Sequence, residues 1–252
     1  MEIKRRKFKG VLNILSFNRH FYFYGAIVLM LIVMSYLWFS WSTTLFWIII
    51  TAFIYGLLMP LIVSAYVYDF SGYYDFNWLN KMNLKDTGTK EILNINAGFD
   101  ETSFILKYNF PKSNLKVFDF YNSEKHTEPA IIRARKVSLV YPNTQQIKSN
   151  AIPLSNKSVD LIFLLSAAHE IRSQEEKIQF LKECRRVCKP DGSVIMVEHL
   201  RDFPNFLAFS IGFTHFFSKN TWKKAFSDAG FTTCTEKKFT PFMSIFTFFS
   251  KP

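Results

Sequence analysis

Residues 149–202 constrain this chain more than any other stretch: SNAIPLSNKSVDLIFLLSAAHEIRSQEEKIQFLKECRRVCKPDGSVIMVEHLRD. A buried, mostly apolar run over 159–165 is followed by an amphipathic helix, a Pro-Asp-Gly turn and a second buried run ending on Glu198. Two short apolar runs bracketing a helix of about four turns describe a βαβ unit with parallel strands. Ligands of such sheets sit beyond the carboxyl ends of the strands. Here those ends carry Ser166, His169 and Glu170 after one strand, and Glu198 and His199 after the next.

The opposite end of the chain obeys a different rule. Between Arg19 and Asp69 there is no Asp, Glu, Lys or Arg. Residues 21–41 and 45–67 are each long enough to cross a hydrocarbon core of about 30 Å. The polar break Trp41-Ser42-Thr43-Thr44 makes them a transmembrane helical hairpin. Trp38, Trp41 and Trp47 cluster at that break, as an aromatic belt does. A signal peptide has a shorter apolar core and no second span behind it. Residues 1–20 form a basic arm with Lys4, Arg5, Arg6, Lys7, Lys9 and Arg19 against Glu2. The positive-inside rule keeps that arm in the cytoplasm, and two spans return the chain to the same side. An integral membrane protein with both termini and its main domain cytoplasmic is expected. The excess of Lys+Arg 31 over Asp+Glu 20 lies about half in this arm, so anionic lipid headgroups explain it better than nucleic acid does. Residues 68–85, rich in Tyr, Phe and Trp, read as an aromatic linker helix leading to a domain over 86–252.

Several stretches of that domain resemble the class I S-adenosylmethionine-dependent methyltransferases, most closely the ubiquinone/menaquinone-biosynthesis branch. They are Asn150-Ala151 with Pro153-Leu154, SVDL (158–161), FLKECRRVCKPDG (180–192), HFFS (215–218), Trp222 and AGF (229–231). The likeness covers about 86–252. It implies an α/β, Rossmann-like fold with a mostly parallel seven-stranded sheet, and S-adenosyl-L-methionine as cofactor.

The cofactor loop of that family matches ILNINAGFD (92–100). Gly98 stands at the central glycine, Asn94 replaces the usual acid, and Asn96 and Asp100 replace two glycines. Asn and Asp tolerate positive φ better than other side chains do, so the turn survives. The resemblance implies that Asp100 supplies the carboxylate for the cofactor's ammonium group. It also implies that Asp119, near the end of a strand over 115–120, accepts the ribose hydroxyls. Asn150 stands where an adenine contact is expected, and Ser166 completes the cofactor set.

Methyl transfer from a sulfonium needs donor and acceptor held in line, and in some cases a base. His169, Glu170, Glu198, His199 and His215 are the candidates, with His169 expected to serve near neutral pH without a large shift. No metal is expected: Cys184 and Cys188 lie on a core helix face, and His169-Glu170 lacks a second His at zinc-protease spacing. Arg133, Arg135 and Arg201 are either surface ion pairs or a clamp on an acidic group. The expected protein is a membrane-anchored methyltransferase acting on a hydrophobic acceptor, a quinone precursor or an aryl polyene or polyketide. The rival is a non-catalytic module in a membrane-bound biosynthetic complex.

Overall fold

The computed structural model describes residues 5–80, 82 and 88–249. Its centre is a seven-stranded sheet: β1 (Glu91–Asn96), β2 (Asn114–Asp119), β3 (Gln145–Gln146), β4 (Val159–Leu165), β5 (Cys188–His199), β6 (Thr233–Thr240) and β7 (Met243–Phe249). The strand order is β3-β2-β1-β4-β5-β7-β6. All neighbours are parallel except β7, which runs antiparallel to β5 and β6. The order reverses direction between β1 and β4, and the crevice above that point is where an open parallel sheet takes its ligand.

Strand alternation sends successive side chains to opposite faces, and each face has its own core. Leu93, Ile95, Phe118, Ile162, Leu164, Val194 and Met196 pack on one side. They meet α7 (Gln174–Val187) and α9 (Lys219–Asp228) through Phe180, Leu181, Cys184, Trp222 and Phe226. Ser173 caps α7 by accepting from the Glu176 amide at 3.3 Å, and Ser218 caps α9 from Thr221 at 3.1 Å. Between Val159 and Leu161 the register with β5 slips, and Lys189-Pro190-Asp191-Gly192 bulges out where the sequence predicts a turn.

The second face carries Ile92, Leu161, Phe163, Leu165, Ile195, Val197 and Ile245. It is covered partly by α5 (Ser103–Asn109) and partly by the N-terminal region. Two long apolar helices, α2 (Arg19–Phe39) and α3 (Thr43–Ala65), pair antiparallel across the Ser40–Trp41–Ser42 break. A Cβ on Gly25 would stand 2.7 Å from Leu57 Cδ2, so the absence of a side chain is what lets the pair approach. Both are long and apolar enough to cross a membrane, and Leu37 and Trp38 are 76% and 79% exposed. Helix α3 does not stop at a loop. A π turn (Tyr66–Phe70) continues it into the domain, where Val63 and Val67 are buried beside Tyr73, Phe76, Trp78 and Leu79.

Two expectations for this region change. The 68–85 linker is not one helix: the π turn gives way to bends and to the single turn α4 (Asn77–Asn80), while 81 and 83–87 lie outside the described residues. Packing aromatic rings into the sheet decides its path. The basic arm, expected to offer its charge to lipid headgroups, is ordered and turns part of that charge inward. It forms α1 (Lys9–Phe17), whose first amides, Gly10 and Val11, donate to Asp69 at 2.7 and 2.9 Å. Arg5 and Lys9 pair with Glu101 at 2.8 Å each, and the Arg5 guanidinium sits 3.6 Å over the Tyr74 ring. Burial works to raise the Glu101 carboxyl, but the two cations outweigh it and hold it below the usual range. Arg6 and Lys7 remain exposed.

Candidate active site

Strand β1 delivers Asn94 and Asn96 to the switch point on the α5 face. Asn94, 1% exposed, donates through Nδ2 to Thr102 Oγ1 at 3.1 Å and Ser103 Oγ at 2.8 Å. Asn96 Oδ1 accepts the Gly98 amide at 2.8 Å, an Asx turn that tightens the loop. Gly98 has φ +87, and the space a Cβ would fill is taken by the Arg135 guanidinium. Asp100 Oδ1 accepts from the Thr102 and Ser103 amides at 2.9 Å each, so the start of α5 uses one half of this carboxylate. Three buried atoms remain without a partner among the described residues: Asn94 Oδ1, Asn96 Nδ2 and Asp100 Oδ2. An orphaned buried polar atom costs about 1–3 kcal/mol, so two acceptors and a donor within one loop mark a place shaped for a polar ligand.

Asp119 ends β2 next door. Its Oδ1 accepts the Tyr121 amide at 2.8 Å, and its Oδ2 pairs with Arg135 at 2.8 Å. The expected ribose acceptor therefore already holds a guanidinium from α6 (Pro129–Arg135), which also lies 4.0 Å over the Tyr121 ring. Arg135 bridges Gly98 to Asp119. Beyond it a cleft of about 1000 Å³ is lined by Tyr121, Arg135, Gln146, Asn150 and Glu176, which puts Asn150 at the rim where an adenine contact was expected.

The second group sits past β4 and β5. Ser166 takes φ +51, a strained conformation for a serine, and its Oγ lies 3.4 Å from the Tyr73 hydroxyl. His169 follows in a 3-10 turn, with Nδ1 2.8 Å from Glu198 Oε2 and Nε2 3.5 Å from Glu170 Oε1. The His215 ring meets it edge-on at 5.2 Å between centroids. Burial lowers the His169 pKa, yet Glu198 and Glu170 outweigh it and carry it to about 10. This changes the expectation of a near-ordinary histidine: the two carboxylates favour the protonated ring. Glu170 is pushed up by burial but held below its ordinary value by His169 and His215. Burial and the His169 charge lower His215.

His199 is not at this rim. It follows Glu198 by one residue, so its side chain leaves on the other face. There it lies buried, with Nε2 2.9 Å from the Tyr68 hydroxyl and Nδ1 2.9 Å from the Phe242 carbonyl. Both nitrogens are committed, and its role is to clasp the π turn to β5. Of the five expected rim residues, four converge and one does not. Sequence reasoning missed Arg135 as the group over Gly98. It also missed Arg172, which donates to the carbonyls of His169 and His215 at 3.2 and 2.7 Å and joins the two segments. An arginine two residues beyond the His-Glu pair was the only available signal.

Residues 105–196 match the family model described as "Methyltransferase domain". Over that stretch the chain is similar to a methyltransferase domain. A solved structure of a SAM-dependent methyltransferase from Aquifex aeolicus aligns with TM-score 0.50 at 21% identity, covering 71% of this chain and 93% of that one. Human N-acetylserotonin methyltransferase, solved in complex with SAM, aligns with TM-score 0.50 at 15% identity, covering 80% of this chain and 59% of that one. No curated protein matches the sequence. The fold is shared with S-adenosylmethionine-dependent methyltransferases, one of them solved with that cofactor bound. The residues at the switch point fit it. Asn94 Oδ1 and Asp100 Oδ2 are free acceptors for its ammonium, and Asn96 Nδ2 is a free donor for its carboxylate.

Proposed function

We propose that the chain is a membrane-anchored methyltransferase whose acceptor is hydrophobic and reaches the rim from the bilayer. One observation carries this reading. Helix α8 (Phe203–Phe209) and the 3-10 turn Ser210–His215 run alongside α3, where the Tyr55 hydroxyl donates to the Leu207 carbonyl at 2.8 Å. Phe203, Phe206, Leu207 and Ile211 are 69%, 45%, 45% and 82% exposed, and they fall together on this one segment. Tyr55 lies ten residues before the end of α3, roughly 15 Å up the helix axis, which is hydrocarbon depth if α3 spans. An apolar ramp thus leads from the lipid level to His215 at the rim.

Bound S-adenosylmethionine supplies an electrophilic methyl group, transferred in line to the acceptor. The chain's own part is to bind and to orient. Asn94, Asn96 and Asp100 hold the amino-acid end, Asp119 the ribose and Asn150 the adenine side. His169 and Glu170 stand at the rim, where they orient the reacting oxygen of the acceptor. A prenylated quinone precursor or an aryl polyene tail suits such a ramp, in keeping with the ubiquinone/menaquinone branch. Exposed Arg6 and Lys7 suit anionic headgroups, and no nucleic-acid partner is invoked.

A second reading, a non-catalytic module in a biosynthetic complex, is favoured by Arg135, which fills the space over Gly98 and engages Asp119. Titration of the full chain in detergent with S-adenosylmethionine by calorimetry separates the two, since absence of binding leaves only the module. On the enzyme reading, Phe206→Asp with Ile211→Asp is expected to cut turnover on a bilayer-dissolved prenylphenol at least tenfold and leave cofactor affinity unchanged. Equal turnover in the variant would remove the ramp from the acceptor path.

The topology follows from charge. Positive residues flank the hairpin on one side only, so both termini and the domain are cytoplasmic and the 40–42 break lies outside. A reporter inserted at Ser42 is expected to behave as extracytoplasmic, and a cytoplasmic signal there overturns the assignment.

A further inference from the structure

The rim holds more ligand-type side chains than methyl transfer requires. Ligand atoms of His169, Glu170 and His215 all lie within 4.8 Å of one another. Glu198, 1% exposed, fixes the first of them: Oε1 accepts the His169 amide at 3.3 Å and Oε2 takes Nδ1 at 2.8 Å. The ring is thereby locked with Nε2 toward Glu170. A buried carboxylate on one imidazole nitrogen with the other aimed at a ligand-type group is how proteins prepare a metal-binding histidine. His215 comes from a separate segment, with Nδ1 3.6 Å from Glu128 Oε1. That segment is pinned by Arg172 on the His169 and His215 carbonyls, and by Arg201 on the Phe216 carbonyl at 2.8 Å. The three groups are therefore held together by the backbone and do not meet by chance at a mobile surface.

We propose that His169, Glu170 and His215 bind a divalent first-row cation such as Mn²⁺, Fe²⁺ or Zn²⁺, with Glu198 as the positioning residue. Two imidazoles and one carboxylate form a donor set too nitrogen-rich for Ca²⁺ or Mg²⁺ and suited to the transition ions. Metal–ligand bonds of about 2.1 Å place neighbouring ligand atoms roughly 3 Å apart, so the cluster has to close by about 1–2 Å, within reach of side-chain rotation. Three protein ligands leave coordination positions open for a further ligand. An acceptor with two adjacent oxygens, a catechol or hydroxyquinone, would fill them and be fixed in orientation. This site does not rest on the methyl-transfer reading, because ion binding is measured without cofactor or acceptor.

The test uses the full chain in detergent, stripped with a chelator and titrated with Mn²⁺ alone, with free ion followed by electron paramagnetic resonance. One ion per chain is expected. His215→Ala and Glu170→Gln should each weaken binding at least tenfold, and Glu198→Gln by about 10–100-fold. His20→Gln, distant from the rim, should bind as the wild type does. Spin-echo spectra of the wild-type complex should show imidazole nitrogen couplings, which decides the matter even where a variant fails to fold. No bound ion, no nitrogen coupling, or equal binding in His215→Ala and wild type would each overturn the site.

Discussion

Asp119→Ala is expected to weaken S-adenosylmethionine binding at least tenfold while the fold stays intact. The carboxylate is mostly buried at the end of β2, and a charged acceptor of hydrogen bonds is worth about 1.5–3 kcal/mol per bond, or roughly 10- to 100-fold in affinity. Arg135 opposes that gain, because it must leave Oδ2 before both ribose hydroxyls can bond there. The bridge has one partner 32% and the other 11% exposed, so it is worth at most about 1 kcal/mol. The ribose therefore wins the competition. Arg135→Ala should tighten binding by up to about fivefold, the opposite sign. Calorimetry on the two variants, with circular dichroism to check folding, reads both. Unchanged affinity in Asp119→Ala would take that residue out of the site and favour the non-catalytic module.

Acid should destabilise the protein through His199. Burial lowers its pKa from 6.5 to about 4, against the opposing pull of its bonds to Asn205 and Phe242. The unfolded chain thus takes up a proton near pH 6.5 that the folded protein refuses until about pH 4. The contribution is complete above pH 6.5 and is lost as pH falls toward 4, a loss on the order of 3 kcal/mol. Thermal unfolding followed from pH 7 to pH 4.5 should show a Tm that falls more steeply in wild type than in His199→Gln. Parallel curves would mean that the imidazole is charged or solvated in the folded state.

What could be read from the sequence followed periodicity. The buried run 159–165 is β4 to the residue, and the amphipathic helix expected after it is α7. The mostly parallel seven-stranded sheet came with the resemblance. The site was only half legible, for two physical reasons. Adjacent rim residues were treated as neighbours, yet Glu198 and His199 point to opposite faces of the sheet. Charges were also read one at a time, so the pairing of Arg135 with Asp119 across 16 residues stayed hidden. Likewise, nothing in the His169-Glu170 dipeptide reveals that Glu198 will sit beside it and favour the protonated ring. Those are contacts between elements, and the periodicity of one element does not record them.

The burial of Val63 and Val67 in the sheet core has a kinetic meaning. An enzyme on a flexible tether tumbles and samples the membrane from many angles. Here the last turns of α3 are themselves a layer of the α/β sandwich, so the sheet and the helical hairpin move as one rigid piece. On the membrane-anchored reading, the rim stands at one height and one tilt above the lipid. Only a molecule whose reactive group reaches that height is in register with it, and encounter becomes a two-dimensional search. Turnover should then track the mole fraction of acceptor in the bilayer and ignore its total amount in the suspension.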